Sequence, residues 1–112
     1  MKGKQSKKHK NRIVKEYYGD GKLSNVGKYV NGKRNGVWKC YLRNGQLRAT
    51  GKFSDNKMTG LWKWWREDGK LWQEGNFKEN KKNGSWKIYN KGGSLYSSCN
   101  FVNNKKVRKN IK

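Results

Sequence analysis

Short runs that alternate aromatic or β-branched residues with polar ones recur along the whole chain, separated by polar, glycine-rich connections. Alternation with a period of two predicts β-strands that bury one face, and the dipeptides Asn-Gly, Asp-Gly and Gly-Gly in the connections are strong hairpin signals. The chain has no proline to interrupt such strands. The pattern therefore predicts an all-β protein.

The pattern repeats every 24 residues, and the units align without a gap. Three complete units lie near residues 26–49, 50–73 and 74–97, with a partial unit at each end. The positions that keep their chemistry are Gly27, Gly51 and Gly75; Tyr29, Phe53, Phe77 and Phe101; Gly36, Gly60 and Gly84; Trp38, Trp62 and Trp86; and Leu23, Leu47, Leu71 and Leu95. A period of this length is typical of stacked repeats, in which each unit buries its apolar face against its neighbours.

Each unit contains two strand-like runs, and the connections between runs are of two kinds. We interpret RNGQ as a short hairpin turn and VNGKRNG as a longer polar loop that returns the chain. The simplest arrangement is a single extended, twisted antiparallel meander of about eight strands. We assign this repeat domain to residues 13–102, between basic tails at residues 1–12 and 103–112.

A two-residue turn at Asn44 and Gly45 would fix the register of the first complete hairpin. Facing residues would then have numbers that sum to 89, which places Trp38 opposite Gly51. A ring that lies across from a glycine covers the backbone that the glycine leaves exposed. We expect the covering layer of one face to include Trp62, Trp86, Leu71 and Phe77.

On the other face, the same register alternates lysine with aromatic residues. It pairs Tyr41 with Arg48, Trp65 with Trp72 and Tyr89 with Tyr96. A lysine precedes a ring by two residues in four places, at Lys15, Lys39, Lys63 and Lys87. The sequence therefore predicts two unlike faces.

The signatures G-x-W-K-x-Y/W-x-x-x-G-x-L and G-K/N-Y/F-x-N/D-G/N-K resemble the MORN repeat, specifically the bacterial-type variant of the YwqK group of proposed antitoxins. The resemblance covers about residues 14–105. It implies that the glycines and aromatic residues are framework residues of a β-hairpin repeat. It also implies a non-enzymatic scaffold, a membrane-associated adaptor or a toxin-neutralising partner.

The charge of the chain points to an anionic partner. Lysine and arginine number 29 against 7 acidic residues, for a net charge of +22, whereas a small domain needs only ~2 to 8 for solubility. We predict that a polyanion contacts two lysine ladders and their neighbours. These residues are Lys15, Lys39, Lys63 and Lys87 on strands, Lys33, Lys57, Lys81 and Lys105 in loops, and Arg48 and Lys52. Aromatic residues that could stack on bases are Tyr41, Trp65, Trp72, Tyr89 and Tyr96.

The sequence offers no nucleophile beside a base, no metal-binding cluster and no phosphate-binding loop, so we expect no enzyme, cofactor or metal site. His9 lies in the lysine-rich N-terminal tail. Cys40 and Cys99 lack the spacing of a zinc site, and the meander places them five strands apart, so we interpret them as packing thiols. Asp20 and Asp68 occupy turn positions and are interpreted as turn residues.

Three functions remain open. The first is a non-enzymatic protein that binds nucleic acid or a nucleoprotein particle; the second is an antitoxin-like or inhibitory protein that docks on an acidic partner protein. The third is an adaptor at anionic membrane surfaces. We recognise neither a membrane-spanning stretch nor a signal peptide, and we therefore expect a cytoplasmic protein, or a nuclear one in a eukaryote.

Overall fold

The computed structural model describes residues 11–107, which form one sheet of nine antiparallel strands in chain order. The strands are β1 (Asn11–Tyr17), β2 (Leu23–Val30), β3 (Lys33–Tyr41), β4 (Leu47–Ser54), β5 (Lys57–Trp65), β6 (Leu71–Lys78), β7 (Lys81–Tyr89), β8 (Leu95–Val102) and β9 (Lys105–Val107). The sheet is open, and each strand pairs only with its neighbours in the chain. The predicted all-β meander is confirmed, and its short ninth strand uses residues that we had assigned to the C-terminal tail.

The two kinds of connection are the reverse of those predicted. The loops that we interpreted as long are two-residue turns in which the central non-glycine residues all have φ between 48° and 72° and Gly32 has φ 81°. These "tight turns" are Asn31–Gly32, Asp55–Asn56, Glu79–Asn80 and Asn103–Asn104. Positive φ at both positions gives the twist that suits a two-residue hairpin, and asparagine and aspartate adopt it more readily than most residues.

The predicted two-residue turns are longer. In residues 42–46, Gly45 donates its N–H to the Leu42 carbonyl, and Leu42 donates to the Gln46 carbonyl, both at 2.9 Å. Gly45 has φ 89°, as expected for a type I turn that ends in a left-handed residue. The same arrangement recurs in residues 18–22, 66–70 and 90–94, and we call these four segments the wide turns.

A β-bulge beside each wide turn corrects the register. Trp38 pairs with Gly51 and Cys40 with Ala49, so the predicted sum of 89 is confirmed there. Nearer the turn, the loop has three residues and the register is shifted by one, so Tyr41 pairs with Leu47. Arg48 is the extra, unpaired residue of the bulge, and beyond it facing residues again have numbers that sum to 89. The predicted pairings of Tyr41 with Arg48, Trp65 with Trp72 and Tyr89 with Tyr96 are therefore wrong, because Leu47, Leu71 and Leu95 take those places.

Each repeated tryptophan covers a glycine with its ring. The covered glycine lies on the preceding strand and is not the glycine that faces the tryptophan within its own hairpin. A Cβ added to Gly51 would lie 2.0 Å from the Trp62 ring, and the Trp62 indole N–H donates to the Lys52 carbonyl at 3.0 Å. A second irregularity, where Gly60 has φ 71°, sets Trp62 over this glycine. Trp38 over Gly27 and Trp86 over Gly75 repeat the contact.

The covering rings form a continuous row on one face. Neighbouring rings of Tyr29, Trp38, Phe53, Trp62, Phe77, Trp86 and Phe101 have centroids 5.1 to 6.4 Å apart, and we call the face that carries them the tryptophan face. Trp38, Trp62 and Trp86 are only 1%, 3% and 5% exposed. The expected covering residues Trp62, Trp86 and Phe77 are confirmed, whereas Leu71 lies on the opposite face because it pairs with Trp65.

Asparagines of the tight turns join successive units. Asn56 donates its backbone N–H to the Arg34 carbonyl at 2.9 Å, and its side-chain oxygen accepts the Arg34 N–H at 2.8 Å. Asn80 makes both bonds with Met58, and Asn104 makes both with Lys82. The tight-turn edge is therefore fixed by pairs of backbone and side-chain hydrogen bonds that repeat with the units.

Candidate functional site

The face opposite the tryptophan face carries most of the strand lysines. Side chains alternate along a strand, so Lys39, which follows Trp38, and Lys52, which follows Gly51, project from the other side of the sheet. We call this side the lysine face. Its lysines are Lys15, Lys28, Lys33, Lys39, Lys52, Lys57, Lys63, Lys78, Lys81, Lys87 and Lys105.

Three lysines of the strand ladder belong to one row across the sheet. In register order the row runs Lys39, Thr50, Lys63, Glu74, Lys87. Successive lysines are two strands apart, which is ~9.6 Å. Lys15 extends the row on β1 through Val26. The predicted ladder is therefore a row that crosses the strands, in which Val26, Thr50 and the acidic residue Glu74 lie between successive lysines.

These lysines have no carboxylate partner among residues 11–107. The two ion pairs of that range join Arg34 to Glu16 at 3.4 Å and Arg43 to Asp20 at 3.7 Å, and neither contains a lysine. Lys39 and Lys87 are exposed, and Lys63 is half-buried. Like charges ~10 Å apart repel by ~0.4 kcal/mol in water, so an anion that approaches this face relieves repulsion along the whole row.

A hollow of about 490 Å³ lies on the lysine face beside the tight turns. Its lining residues include Lys33 and Lys57 of the predicted loop ladder, and Lys78, which the sequence analysis missed. Lys78 is absent from any ladder because the equivalent positions hold Ser54 and Val102. Its alternation with Phe77 of the tryptophan face is the signal that would have found it.

An aromatic strip follows the strand lysines toward the wide turns. We define it as the facing pairs Tyr17 with Leu23, Tyr41 with Leu47, Trp65 with Leu71 and Tyr89 with Leu95. The Tyr89 hydroxyl donates to Glu74 Oε2 at 2.6 Å. That hydrogen bond, together with desolvation and the Glu74 charge, raises the pKa of Tyr89 above its ordinary value of 10.0. Tyr89 is therefore tied to the carboxylate that lies beside Lys87.

The bulge separates Arg48, Trp72 and Tyr96 from the other predicted site residues. Trp72 is the unpaired bulge residue between Leu71 and Gln73, and its ring is 5.9 Å from the Arg66 guanidinium. Trp72 is 40% exposed and Tyr96 is 75% exposed. Of the five predicted stacking residues, Tyr41, Trp65 and Tyr89 therefore belong to the strip and Trp72 and Tyr96 do not, and Arg48 does not join the lysine row.

The tryptophan face has cations that contact rings, which sequence reasoning did not find. The Arg34 guanidinium lies 4.8 Å from the Trp38 ring centroid, and the Lys82 ammonium lies 4.6 Å from that of Trp86. Arg34 also contacts the Phe53 ring at 5.6 Å. Arg34 and Lys82 occupy equivalent positions of the repeat, and Met58 occupies that position in the unit between them. This periodicity in the sequence could have indicated that the two cations share a face.

Two aspartates and two cysteines complete the predicted reactive groups among the described residues. Asp20 and Asp68 accept the backbone N–H groups of Lys22 and Lys70, which confirms them as turn residues. Cys40 is a free thiol on β3, and burial raises its pKa above the ordinary 9.0; Cys99, on β8, is also free. Residues 11–107 contain no group of three or more potential metal ligands and no helix that would span a membrane. His9 and most of both predicted tails lie outside the described residues.

Comparison with known proteins identifies the repeat. The family model described as MORN repeat variant matches residues 34–55, 58–79 and 82–103, which together exceed half of the chain. Each match begins just after one tight turn and ends in the next, so it spans one hairpin and its wide turn. None of the curated proteins matches the chain.

Proposed function

We propose that this chain, which belongs to the MORN repeat variant family, is a non-enzymatic protein that binds a polyanion on its lysine face. The best-supported polyanion is a nucleic acid or a nucleoprotein particle. The observation that carries the proposal is the row from Lys39 to Lys87, which faces away from the rings that build the fold and has no ion pair within residues 11–107.

Counterion release would supply the affinity. Each lysine that neutralises a phosphate releases condensed cations, so log K falls with log salt by ~0.7 to 0.9 for each contact. With lysines ~9.6 Å apart in the row, a polymer that crosses the strands meets several of them in turn. The basic residues at the two ends of the sequence, five in residues 1–10 and three in residues 108–112, would add to the attraction.

The test is the binding of the full chain to labelled DNA and RNA, measured by fluorescence anisotropy from about 50 to about 200 mM salt. We expect binding at low salt that weakens by tenfold or more over this range. A protein that binds neither polymer at the lowest salt contradicts the proposal.

A second candidate is an antitoxin-like or inhibitory protein of the YwqK type that docks on an acidic protein. Membership of the repeat family and the aromatic strip beside the lysines support it, because protein interfaces combine an apolar core with charged rims. Such an interface depends less steeply on salt than phosphate binding does. A Kd for the co-purified partner that changes little over the same salt range would favour this candidate.

An adaptor at anionic membranes is the third candidate. Each lysine near an anionic surface contributes ~1 kcal/mol to binding. Sedimentation with vesicles that contain an anionic lipid, compared with neutral vesicles, measures this contribution. Strong sedimentation without nucleic-acid binding would replace the first proposal.

A further inference from the structure

We propose that the polyanion is a single-stranded nucleic acid that crosses the strands of the sheet, with its bases on the aromatic strip and its phosphates on the lysine row. This inference rests on the proposed function and specifies its ligand. It also limits the stacking residues to those of the strip, which excludes Trp72 and Tyr96.

Each unit sets a cation and a ring at a fixed offset. Lys63 and Trp65 lie two residues apart on β5 and share a face, so their Cα atoms are ~6.7 Å apart along the strand. Lys39 with Tyr41, and Lys87 with Tyr89, repeat the offset on β3 and β7. A nucleotide likewise has one anionic group and one flat apolar group at a fixed separation, and single-strand binding proteins combine a basic groove with stacking rings.

The direction of the strip favours an extended polymer. It crosses the strands from β1 to β8, which is seven interstrand steps or ~34 Å. A duplex would present phosphates to the lysines but would leave its bases stacked inside, away from Trp65 and Tyr89. A single strand has free base faces and therefore uses both the row and the strip.

The rings of the strip are held before any ligand binds. The hydrogen bond to Glu74 restrains Tyr89, and Leu47 and Leu71 lie opposite Tyr41 and Trp65 across the hairpins. The three rings are only partly buried, so they keep surface for contact. A ring that is already restrained loses little conformational entropy when a base stacks on it.

Cations lie on both sides of the strip. The strand lysines border it toward the tight turns, and a hollow of about 540 Å³ borders it at the wide-turn end near β2 and β3. Lys22 and Arg43 line that hollow together with Leu23 and Tyr41. The strip is therefore an apolar surface with cations along one edge and at one end of the other edge.

The experiment compares a single strand with a duplex of equal length, by anisotropy, for the wild type and a variant with Tyr41→Leu, Trp65→Leu and Tyr89→Leu. Leucine keeps apolar packing but removes the stacking surface. We expect the wild type to bind the single strand at least tenfold more tightly than the duplex. The variant should lose about tenfold or more in single-strand affinity and keep its duplex affinity. The matched control, Trp72→Leu with Tyr96→Leu, should retain the wild-type affinities.

Ultraviolet crosslinking of the wild-type protein to the single strand, mapped by mass spectrometry, tests the same contact without a variant that must fold. Crosslinks at Tyr41, Trp65 or Tyr89 support the inference, and crosslinks confined to Trp72 and Tyr96 overturn it. Equal affinity of the wild type for single strand and duplex, or tighter binding to the duplex, also overturns it and leaves the proposed function standing. Failure to bind any nucleic acid contradicts the proposed function itself.

Discussion

The two faces of the sheet differ in what holds their side chains. On the tryptophan face, Trp38, Trp62 and Trp86 are buried in a single-layer sheet because each lies on a glycine, donates an indole N–H to a carbonyl and touches aromatic neighbours. On the lysine face, Lys39 and Lys87 are exposed, and the row around them has no ion pair within the described residues.

This difference explains how a chain that is only 31% hydrophobic, with a mean hydropathy of −1.33, forms a defined sheet. Wide rings bury more area per residue than aliphatic side chains do, so a few of them cover one face. The other face then carries charge that takes little part in folding. Substitutions should therefore affect stability on one face and binding on the other, and the following predictions test that separation.

The largest effect is expected at a glycine beneath a tryptophan. A Cβ at Gly51 would overlap the Trp62 ring, so Gly51→Val must displace a buried indole and should cost ~3 kcal/mol or more, or prevent folding. Urea denaturation measures the change. Gly19→Ala is the control, since nothing lies within 4 Å of its added Cβ, and it should stay within ~0.5 kcal/mol. If Gly51→Val changed stability by less than ~1 kcal/mol, the ring would not lie on that glycine.

Two tryptophans of the same strand compare the faces directly. Trp62→Ala removes a buried ring of the tryptophan face and should cost ~3 to 5 kcal/mol. Trp65→Ala removes a partly buried ring of the lysine face and should cost less than half as much. The free energy of unfolding of each variant gives the comparison. Equal losses would show that both faces stabilise the fold.

Lys33 and Arg34 are neighbouring cations on β3 that lie on opposite faces, so they compare the contribution of charged residues on the two faces to stability. Arg34→Ala removes ring contacts to Trp38 and Phe53 and a partly exposed ion pair, and should cost ~1 to 2 kcal/mol. Lys33→Ala, on the lysine face, should change stability by no more than ~0.5 kcal/mol. Thermal unfolding of both variants at matched salt measures the difference. A larger loss at Lys33 would reverse the assignment of the faces.

A smaller effect is expected from pH. Tyr89 donates its hydrogen bond to Glu74 only while its phenol is protonated, and the pKa of Tyr89 is raised in the folded state. Its contribution to stability is therefore complete below pH 10.0 and is lost as the pH rises through the raised pKa. As the pH rises from 10.0 through the raised pKa of Tyr89, the thermal unfolding midpoint of the wild type should fall more than that of Tyr89→Phe. Parallel curves would indicate that the bond contributes nothing.

The sequence predicted the repeat and much of the register, because glycine and tryptophan recur at fixed positions and only one pairing sets Trp38 opposite Gly51. It did not reveal the two turn types. Asn44–Gly45 suits either a two-residue or a three-residue loop, while Asp55–Asn56 lacks the glycine that marks a tight turn. The bulge at Arg48 restores the register that the three-residue loop shifts. It depends on pairing across the hairpin, and no local sequence pattern indicates it.

One further signal was present in the sequence. Each covered glycine precedes its tryptophan by eleven residues, as with Gly51 and Trp62. At the last unit the equivalent residues are Cys99 and Asn110, so the glycine is absent where no tryptophan follows. This spacing shows that the tryptophan that covers a glycine comes from the next hairpin. The predicted register alone instead set Trp38, in the same hairpin, against Gly51.

The central claim is that one face builds the fold and the other binds the polyanion. The most direct measurement is the affinity for nucleic acid of two triple variants with equal changes in net charge. Lys39, Lys63 and Lys87 become glutamine on the lysine face, whereas Arg12, Lys82 and Lys106 become glutamine on the tryptophan face. The account predicts that the first variant loses ~2 to 3 units of the log–log salt slope and most of its affinity, while the second stays close to the wild type. Equal losses in both variants would contradict it, because binding would then follow net charge and not a face.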